Sequence, residues 1–269
     1  MPQLFKITSA NNPRIKELQH LSKLRERRKR GLFVIEGLRE LTLALENNYV
    51  FESLWYCPII STSNEIKDFV RTISDEGVSI IEINEYLFRK IAYRENSDGL
   101  LGIAKTREFP LDGLKLSNNP LIIVLESVEK PGNLGAILRT ADAAGVDAVI
   151  ICDAQTDVFN PNVVRSSIGC VFTNQLALCD SHEAIEYFKQ KGIKTYSAAL
   201  TAVDYYQNVD FLTPCAIVLG TEADGLSQIW LDNCDKKIKI PMCGSIDSLN
   251  VSTSTAILVF EAMRQRGFN

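Results

Sequence analysis

Residues 236–252 read Lys-Lys-Ile-Lys-Ile-Pro-Met-Cys-Gly-Ser-Ile-Asp-Ser-Leu-Asn-Val-Ser, and they join a short apolar strand to a long apolar segment. The strand stops at Pro241, and a helix is predicted from about Asn250 to Arg264. Connections between strands and helices usually need about 2–6 residues, whereas this one uses roughly ten. Its Gly, Ser, Asp and Asn residues leave backbone donors and acceptors free, which predicts a binding loop. A solvated connection is the alternative.

Composition describes an ordinary globular protein of 269 residues, with 46% hydrophobic and 23% charged residues. The seven Cys include no C-x-x-C pair and only two His accompany them, so neither a zinc site nor a disulfide framework is predicted. The first residues do not resemble a signal peptide, and no apolar run approaches 18 residues. We therefore expect a cytoplasmic protein with reduced thiols, no metal and no membrane association.

Positive charge is concentrated in one segment of this acidic chain. The formal net charge is −4, yet residues 14–30 contain eight Lys or Arg against two Glu. Phosphate contacts dominate the affinity of proteins for nucleic acids, so this segment indicates a polyanionic partner. A solvated helix face is the alternative, because Lys and Arg are common on helix surfaces.

The chain is predicted to divide at residues 106–120, a linker with two Pro, a Gly and a pair of Asn. Residues 1–105 alternate helical and strand-like patterns, which predicts a small α/β domain. Its first helix is the basic segment, from about Pro13 to Arg30. Further helices are predicted near 37–47, 64–74 and 84–92, and strands at 33–35, 53–56, 78–83 and 100–104.

Residues 121–269 show a clearer alternation and are predicted to form one domain. The continuous apolar run at 121–125 is typical of a strand that is buried on both faces. Gly145 is predicted to end the helix that begins near Asn133. The pattern predicts a mostly parallel sheet with helices on both faces. Further strands are predicted at 148–152, 175–178, 194–197, 216–219 and 237–240, and further helices near 162–168, 182–191, 226–233 and 250–264.

Three strand ends in this second domain carry unusual loops, at 126–135, 220–227 and 241–249. Ligands of open α/β sheets lie beyond the C-terminal ends of the strands, so these loops are the candidate site. A dinucleotide-binding domain is not supported, because no G-x-G-x-x-G or G-x-x-x-x-G-K-[ST] follows a strand. A Ser-His-Asp type of site is not supported either, since there is no G-x-S-x-G.

The three loops and the residues beside them contain three motifs. They read Asn-Leu-Gly-Ala-Ile-Leu-Arg-Thr-Ala-Asp from Asn133, Leu-Gly-Thr-Glu-Ala-Asp-Gly-Leu from Leu219, and Ile-Pro-Met from Ile240 followed by Ser-Leu-Asn-Val-Ser from Ser248. Together they resemble the three motifs of the SpoU/TrmH family, whose members are RNA ribose 2′-O-methyltransferases of the SPOUT superfamily. The resemblance covers 121–269. A shorter resemblance, through Phe-Val-Ile-Glu-Gly-Leu-Arg from Phe33, relates the first domain to the family's RNA-binding domain.

This resemblance implies S-adenosylmethionine as the cofactor, a homodimer and a deep trefoil knot through which the chain threads, an exception to the usual rule. The active site is expected near the subunit interface. By matching position, the residues expected to contact the cofactor are Leu219, Gly220, Ile240, Met242 and Leu249. The residues expected to contact RNA are Arg14, Lys23, Arg27, Arg28, Arg30 and Arg165, the last with a contact across subunits as the alternative.

The resemblance also implies a catalytic set. Arg139 matches the family's catalytic arginine, with Asn133 and Glu222 expected to orient it and Ser248 and Asn250 to contact the ribose. Because the pKa of arginine exceeds about 12, Arg139 is expected to clamp the RNA phosphate rather than to act as a general base. The general-base role remains the alternative. Asn is also a preferred helix N-cap, so Asn250 is expected to begin the last helix.

The sequence therefore predicts a ribose 2′-O-methyltransferase that acts on structured RNA, with ribosomal RNA favoured because a separate first domain is present. Transfer RNA is the alternative substrate. A non-catalytic RNA-binding or ribosome-assembly factor of the same fold is an alternative of a different class, although the catalytic set is complete. An unrelated nucleotide-dependent enzyme is a third.

Overall fold

The computed structural model describes residues 4–95, 97–221 and 223–268. The strands are β1 (Leu4–Ile7), β2 (Leu32–Glu36), β3 (Phe51–Tyr56), β4 (Ser79–Ile83), β5 (Leu100–Lys105), β6 (Leu121–Glu126), β7 (Ala148–Cys152), β8 (Leu176–Cys179), β9 (Lys194–Ala198), β10 (Asp204–Tyr205), β11 (Cys215–Leu219) and β12 (Lys236–Lys239). The helices are α1 (Pro13–His20), α2 (Leu24–Arg30), α3 (Leu38–Glu46), α4 (Asn64–Asp75), α5 (Glu85–Ile91), α6 (Pro131–Ala144), α7 (Pro161–Ser166), α8 (Cys170–Thr173), α9 (Ser181–Lys191), α10 (Gln228–Asn233) and α11 (Val251–Gln265).

The described residues form two compact units. The first unit contains the chain up to Arg107 together with Val158–Thr173, and the second contains Glu108–Asp157 and the chain after Asn174. The sequence had placed all of 121–269 in one domain. The compact units differ from that prediction at 158–173, where Phe159 and Phe172 pack against Phe33 with ring centroids 4.3 Å and 6.0 Å apart. The predicted domain division stays a prediction. An apolar segment can belong to either side of a boundary, and the sequence pattern does not say which.

The first unit is built on a sheet that, within the described residues, has five strands in the order β1-β4-β3-β5-β2. β1, β4 and β3 are parallel, whereas β5 runs antiparallel to both β3 and β2. On one face, side chains of α1 and α5 share a buried cluster with strand residues such as Trp55 and Ile81. β1 was not predicted from the sequence, because it is a short edge strand with a charged residue at Lys6.

The basic segment forms two helices rather than the single helix predicted from Pro13 to Arg30. α1 ends at His20 and α2 begins at Leu24. The guanidinium of Arg27 donates to the carbonyls of Leu21 and Ser22 at 2.8 Å and 2.9 Å. These bonds satisfy carbonyls that lie just after the last turn of α1, which stabilises the break.

The second unit is built on a sheet with the order β10-β12-β9-β11-β6-β7-β8, all of whose described pairings are parallel. Every residue of β6 is buried, as the apolar run at 121–125 predicted. Ile122 and Val124 share a cluster with Phe188 of α9 and Trp230 of α10. Alternate residues of a strand point to opposite faces, so Ile122 and Val124 lie on the same face of the sheet, which packs against α9 and α10. α11 also packs on β6 and β11.

The predicted fold class, a mostly parallel α/β sheet with helices on both faces plus a small α/β unit, is confirmed. Gly145 ends α6 with a φ of 64°, as predicted. The region predicted as one helix near 162–168 forms α7 and α8, separated by Ile168 and Gly169 with φ values of 50° and 87°. The predicted knot stays a prediction. No helix among the described residues is long and apolar enough to span a membrane.

Candidate active site

A cavity of about 540 Å³ lies at the C-terminal ends of β9, β11 and β12. Its volume is in the range of small-molecule sites, and its position is the edge where α/β sheets bind ligands. The walls come from stretches that are distant in sequence. They are residues 198–201, residues 219–221 and 223–226 after β11, Leu231 of α10, residues 238–240 and 242 with 247–249, and three residues of α11 (Val251, Ser254 and Leu258).

The loop after β11 is a tight turn. The amide of Thr221 donates to the Gly225 carbonyl at 2.9 Å, and the Gly225 amide donates back to Thr221 at 3.2 Å. A Cβ placed at Gly220 would lie 2.1 Å from the Gly225 carbonyl oxygen, far inside any real contact. Glycine is therefore required at 220, because the two arms of the turn touch through their backbones.

The loop from β12 to α11 is open and largely exposed. At its end, the Oδ1 atom of Asn250 accepts from the Ser252 amide at 2.9 Å and so begins α11, as predicted. The side-chain amide of Asn250 donates to Oδ1 of Asn133 at 3.1 Å. This bond joins the start of α11 to the first turn of α6, two motifs that lie more than 100 residues apart in sequence.

All five residues expected to contact the cofactor line this cavity, and Ser248 lines it as well. The hydroxyl of Ser248 donates to the carboxylate of Asp247 at 2.9 Å. The structure thus brings together residues that the second and third motifs supplied separately. Their roles stay predictions.

Arg139 is exposed on α6 and is not among the cavity-lining residues that the structure describes. Within the described ranges it has no hydrogen-bond or ion-pair partner. Glu222, which was expected to orient it, lies outside the described residues. Asn133 accepts a hydrogen bond from Asn250.

Two buried thiols of the second unit are poor nucleophiles. The hydrogen bond of Cys152 to Cys179, together with burial, raises the pKa of the Cys152 thiol. Burial raises the pKa of Cys215 to about 11, although Arg266 partly opposes this. Because the thiolate is the reactive form, neither residue supports covalent catalysis.

The first unit carries the predicted RNA-binding residues, and one of them, Arg27, is buried. Arg27 is only 2% exposed, and its guanidinium is bonded to the carbonyls described above. It is therefore unavailable to a phosphate. The remaining positions are exposed, namely Arg14, Lys23, Arg28, Arg30 and Arg165.

Arg165 borders a small cleft in the first unit, beside Glu36 and Arg94. Burial raises the pKa of Glu36, although its bonds from the amides of Tyr93 and Arg94 oppose the shift. Arg94 in turn pairs with the buried Glu40. These contacts make the Glu36 region, which belongs to the shorter resemblance, a structural anchor of the first unit.

The cavity wall formed by 198–201 was not predicted from the sequence. No residue type in 198–201 suggests a ligand, and its role depends on β9 lying between β11 and β12 in the sheet. That strand order is not visible in the sequence. No group of three or more His, Cys, Asp or Glu in the described part of the chain could hold a metal ion.

Comparisons with known proteins agree with this geometry. The model of the SpoU rRNA Methylase family matches residues 120–260, and that of the MRM3-like substrate binding domain matches residues 12–102. The chain is 29% identical over 256 residues to the 23S rRNA (guanosine(2553)-2′-O)-methyltransferase RlmP of Bacillus subtilis, covering 94% of this chain and 97% of that protein. It is 33% identical to the 23S rRNA (guanosine-2′-O-)-methyltransferase RlmB of Ralstonia nicotianae, covering 75% and 83%.

Solved structures give the same result. An AdoMet-bound rRNA methyltransferase from Sinorhizobium meliloti superimposes with a TM-score of 0.90 at 29% identity, over 97% of this chain and 98% of that one. The SpoU methyltransferase AviRb from Streptomyces viridochromogenes, in complex with AdoMet, gives 0.88 at 26% identity, over 95% and 98%. The family resemblance drawn from the three motifs is confirmed, and the chain belongs to the SpoU rRNA methylase family.

Proposed function

We propose that this protein transfers a methyl group from S-adenosylmethionine to the 2′-hydroxyl of a ribose in ribosomal RNA. The observation that carries the proposal is that the second and third motifs line one cavity at the C-terminal edge of the parallel sheet, joined to the first motif by Asn133 and Asn250. The similarity to 23S rRNA 2′-O-methyltransferases over nearly the whole chain supports ribosomal RNA as the substrate.

The cavity fits the cofactor. Its lining includes Gly220 and Ile240 together with the apolar side chains of Leu219, Met242 and Leu249, which suits a ligand with a purine, a ribose and an amino-acid chain. When bound, S-adenosylmethionine supplies a methyl group on a positively charged sulfur. The hydrogen bonds between Thr221 and Gly225 hold this wall of the cavity in place before the cofactor binds, which reduces the reorganisation that binding requires.

The protein's contribution to the reaction is mainly alignment, since transfer requires the ribose oxygen in line with the methyl group. Ser248 and Asn250 hold the ribose at the cavity rim. Arg139, exposed and without a partner among the described residues, clamps an RNA phosphate and stabilises the developing alkoxide. A role of Arg139 as general base is the second choice, because arginine rarely loses its proton.

The first unit binds the RNA. Exposed cations on α1 and α2 and the exposed Arg165 supply the phosphate contacts, with Arg27 excluded by its burial. The match of the MRM3-like substrate binding domain to residues 12–102 supports this division of labour. We accordingly propose 1–105 together with 158–173 as the substrate-binding part and the remainder beyond the linker at 106–120 as the methyltransferase part.

A homodimer is proposed as the working form. Two observations support it, the position of Arg139 outside the described cavity lining and the exposure of Phe260 on α11 and Ile246 in the loop before it, at 40% and 62%. The trefoil knot is supported by family membership and by the insertion of β12 between β9 and β10. A ribosomal RNA substrate supports a cytoplasmic location. Light scattering of the purified chain tests the dimer, and a monomeric mass at micromolar concentration would contradict it.

The enzymatic test uses S-adenosylmethionine with a tritiated methyl group and ribosomal RNA transcripts. We expect labelled RNA whose modified position resists alkaline hydrolysis, because a 2′-O-methyl group blocks attack on the adjacent phosphate. Transfer RNA serves as the comparison substrate, and preferential labelling of it would favour that alternative. Calorimetry with the cofactor separates the remaining alternatives. Cofactor binding without transfer would favour a non-catalytic factor, and no binding would refute the proposal.

A further inference from the structure

A buried carboxylate joins β6 to the end of the cavity loop. Glu126 is the last residue of β6 and is only 5% exposed. Its Oε2 accepts from the amide of Ser227 at 2.8 Å, and its Oε1 accepts from the hydroxyl of the same residue. Ser227 directly follows the stretch 219–226 that lines the cavity. Glu126 therefore holds this loop from a strand more than 90 residues earlier in the chain.

Ser227 is unusual for its place in the fold. It occupies the N-cap of α10, where serine normally accepts a hydrogen bond from the first turn of its own helix. Here the side chain makes no capping bond. Its hydroxyl donates to Glu126 instead. The contact between loop and strand has thus replaced a local bond that would stabilise α10.

A second hydrogen bond connects α10 to residues next to Glu126. The indole N–H of Trp230, which is fully buried, donates to Oγ of Ser181 at 2.9 Å. Ser181 lies at the start of α9 and its hydroxyl reaches the carboxylates of Asp153 at 2.5 Å and Glu126 at 3.4 Å. The tip of the loop, at 223–225, is exposed and gains little from packing. The hydrogen bonds between Thr221 and Gly225 close the turn, and the network at Ser227 and Trp230 holds the end of the loop that continues into α10.

We propose that Glu126 and Ser227 are positioning residues for the cofactor, an inference that rests on the proposed function of the cavity. Neither side chain lines the cavity among the described residues. The pairing of β11 with β6 holds the start of the wall at Leu219, and the bond between Glu126 and Ser227 holds its other end, next to Leu226. Loss of the bond lets the wall move outward, so the cofactor binds more weakly while the reacting groups stay intact.

The experiment measures steady-state kinetics and melting temperature for Ser227→Ala and Glu126→Gln in the full-length protein. A hydrogen bond to a charged group contributes enough to change an equilibrium about tenfold. We expect KM for S-adenosylmethionine to rise about tenfold in both variants. We expect kcat at saturating cofactor and KM for RNA to stay within about twofold. Ser227→Thr keeps the hydroxyl and should restore KM.

Asp147 offers a matched control. Its carboxylate accepts from the amides of Ser117 and Leu121 at 2.7 Å and 2.9 Å, at the opposite, N-terminal edge of the same sheet. Asp147→Asn should lower the melting temperature and leave KM for the cofactor unchanged. If Ser227→Ala and Glu126→Gln behave as this control does, the proposal is wrong while the proposed function stands. A wild-type protein that binds no S-adenosylmethionine would instead remove the proposed function.

Discussion

The cavity of the second unit and the basic segment of the first differ in how their residues depend on one another. Around the cavity, backbone groups touch, as where Gly220 meets Gly225, and single hydrogen bonds join motifs far apart in sequence. On α1 and α2, most cations are exposed, and those with partners make surface contacts, as Arg30 does with Glu17 and Glu26. The first arrangement depends on geometry, the second on the sum of charges.

This difference predicts how substitutions act. In the cavity, one changed atom displaces a whole loop, so single substitutions should have large and specific effects. On the basic surface, each phosphate contact contributes a small and nearly independent share of the affinity. The following variants test that contrast, in order of decreasing expected effect.

Arg139→Ala should have the largest effect. Removing a group that stabilises developing charge typically lowers kcat by about 10²–10³. Because Arg139 lies outside the described cavity lining, the dissociation constant of the cofactor should not change. Single-turnover methyl transfer and calorimetry measure the two quantities. Arg139→Lys, which keeps the charge but loses the fork of donors, should recover only part of the rate. An equal loss of cofactor affinity would contradict the assigned role.

Gly220→Ala should weaken cofactor binding by about tenfold or more, because the added Cβ would overlap the Gly225 carbonyl and open the turn. Calorimetry with S-adenosylmethionine measures the change. Gly132→Ala is the control, since a Cβ at Gly132 meets no atom within 4 Å. A Gly220→Ala protein with native affinity would show that the turn is not part of the binding wall.

Arg27→Gln separates stability from charge within the basic segment. The loss of two hydrogen bonds from a buried guanidinium should lower the free energy of unfolding by about 1–3 kcal/mol. Urea denaturation measures this change. The salt dependence of RNA binding by the folded protein should stay the same, because Arg27 makes no phosphate contact. The exposed Arg25→Gln is the control and should change stability by less than about 0.5 kcal/mol.

Arg28→Gln should have the smallest effect. It should weaken RNA binding about threefold and reduce the slope of log affinity against log salt by about one. Filter binding over a range of salt concentrations measures both. Arg71→Gln, on α4 and paired with Asp68, is the control and should leave the slope unchanged. A loss of RNA affinity by a factor of about 10² or more in Arg28→Gln would show that this surface binds RNA through a specific geometry rather than through its summed charge.

Much of the second unit was predictable because its signals are local. The apolar run of β6 and Gly145, the glycine that ends α6, can each be recognised from a few neighbouring residues. The motif residues Leu219, Gly220, Ile240, Met242 and Leu249 were chosen from the sequence, and all line the cavity. Short or irregular elements were harder. β1 and β10 have four and two residues, too few to show a period.

The burial of Arg27 shows where local signals fail. Six of the seven residues of α2 are not classed as buried, and nothing in the letters Arg-Glu-Arg-Arg distinguishes the one that turns inward. Only the return of the chain at Leu21 and Ser22 provides carbonyls for its guanidinium. The assignment of 158–173 to the first unit has the same origin. Its aromatic side chains pack where Phe33 and Tyr49 are available.

Read without a structure, the chain specifies a parallel α/β fold, the family and the residue types of the cavity, because periodicity and motifs are properties of short segments. Strand order, and with it the wall at 198–201, emerges only when distant segments pack. The same is true of the bond between Glu126 and Ser227. Such contacts depend on relative positions in space, and a sequence records only positions along the chain.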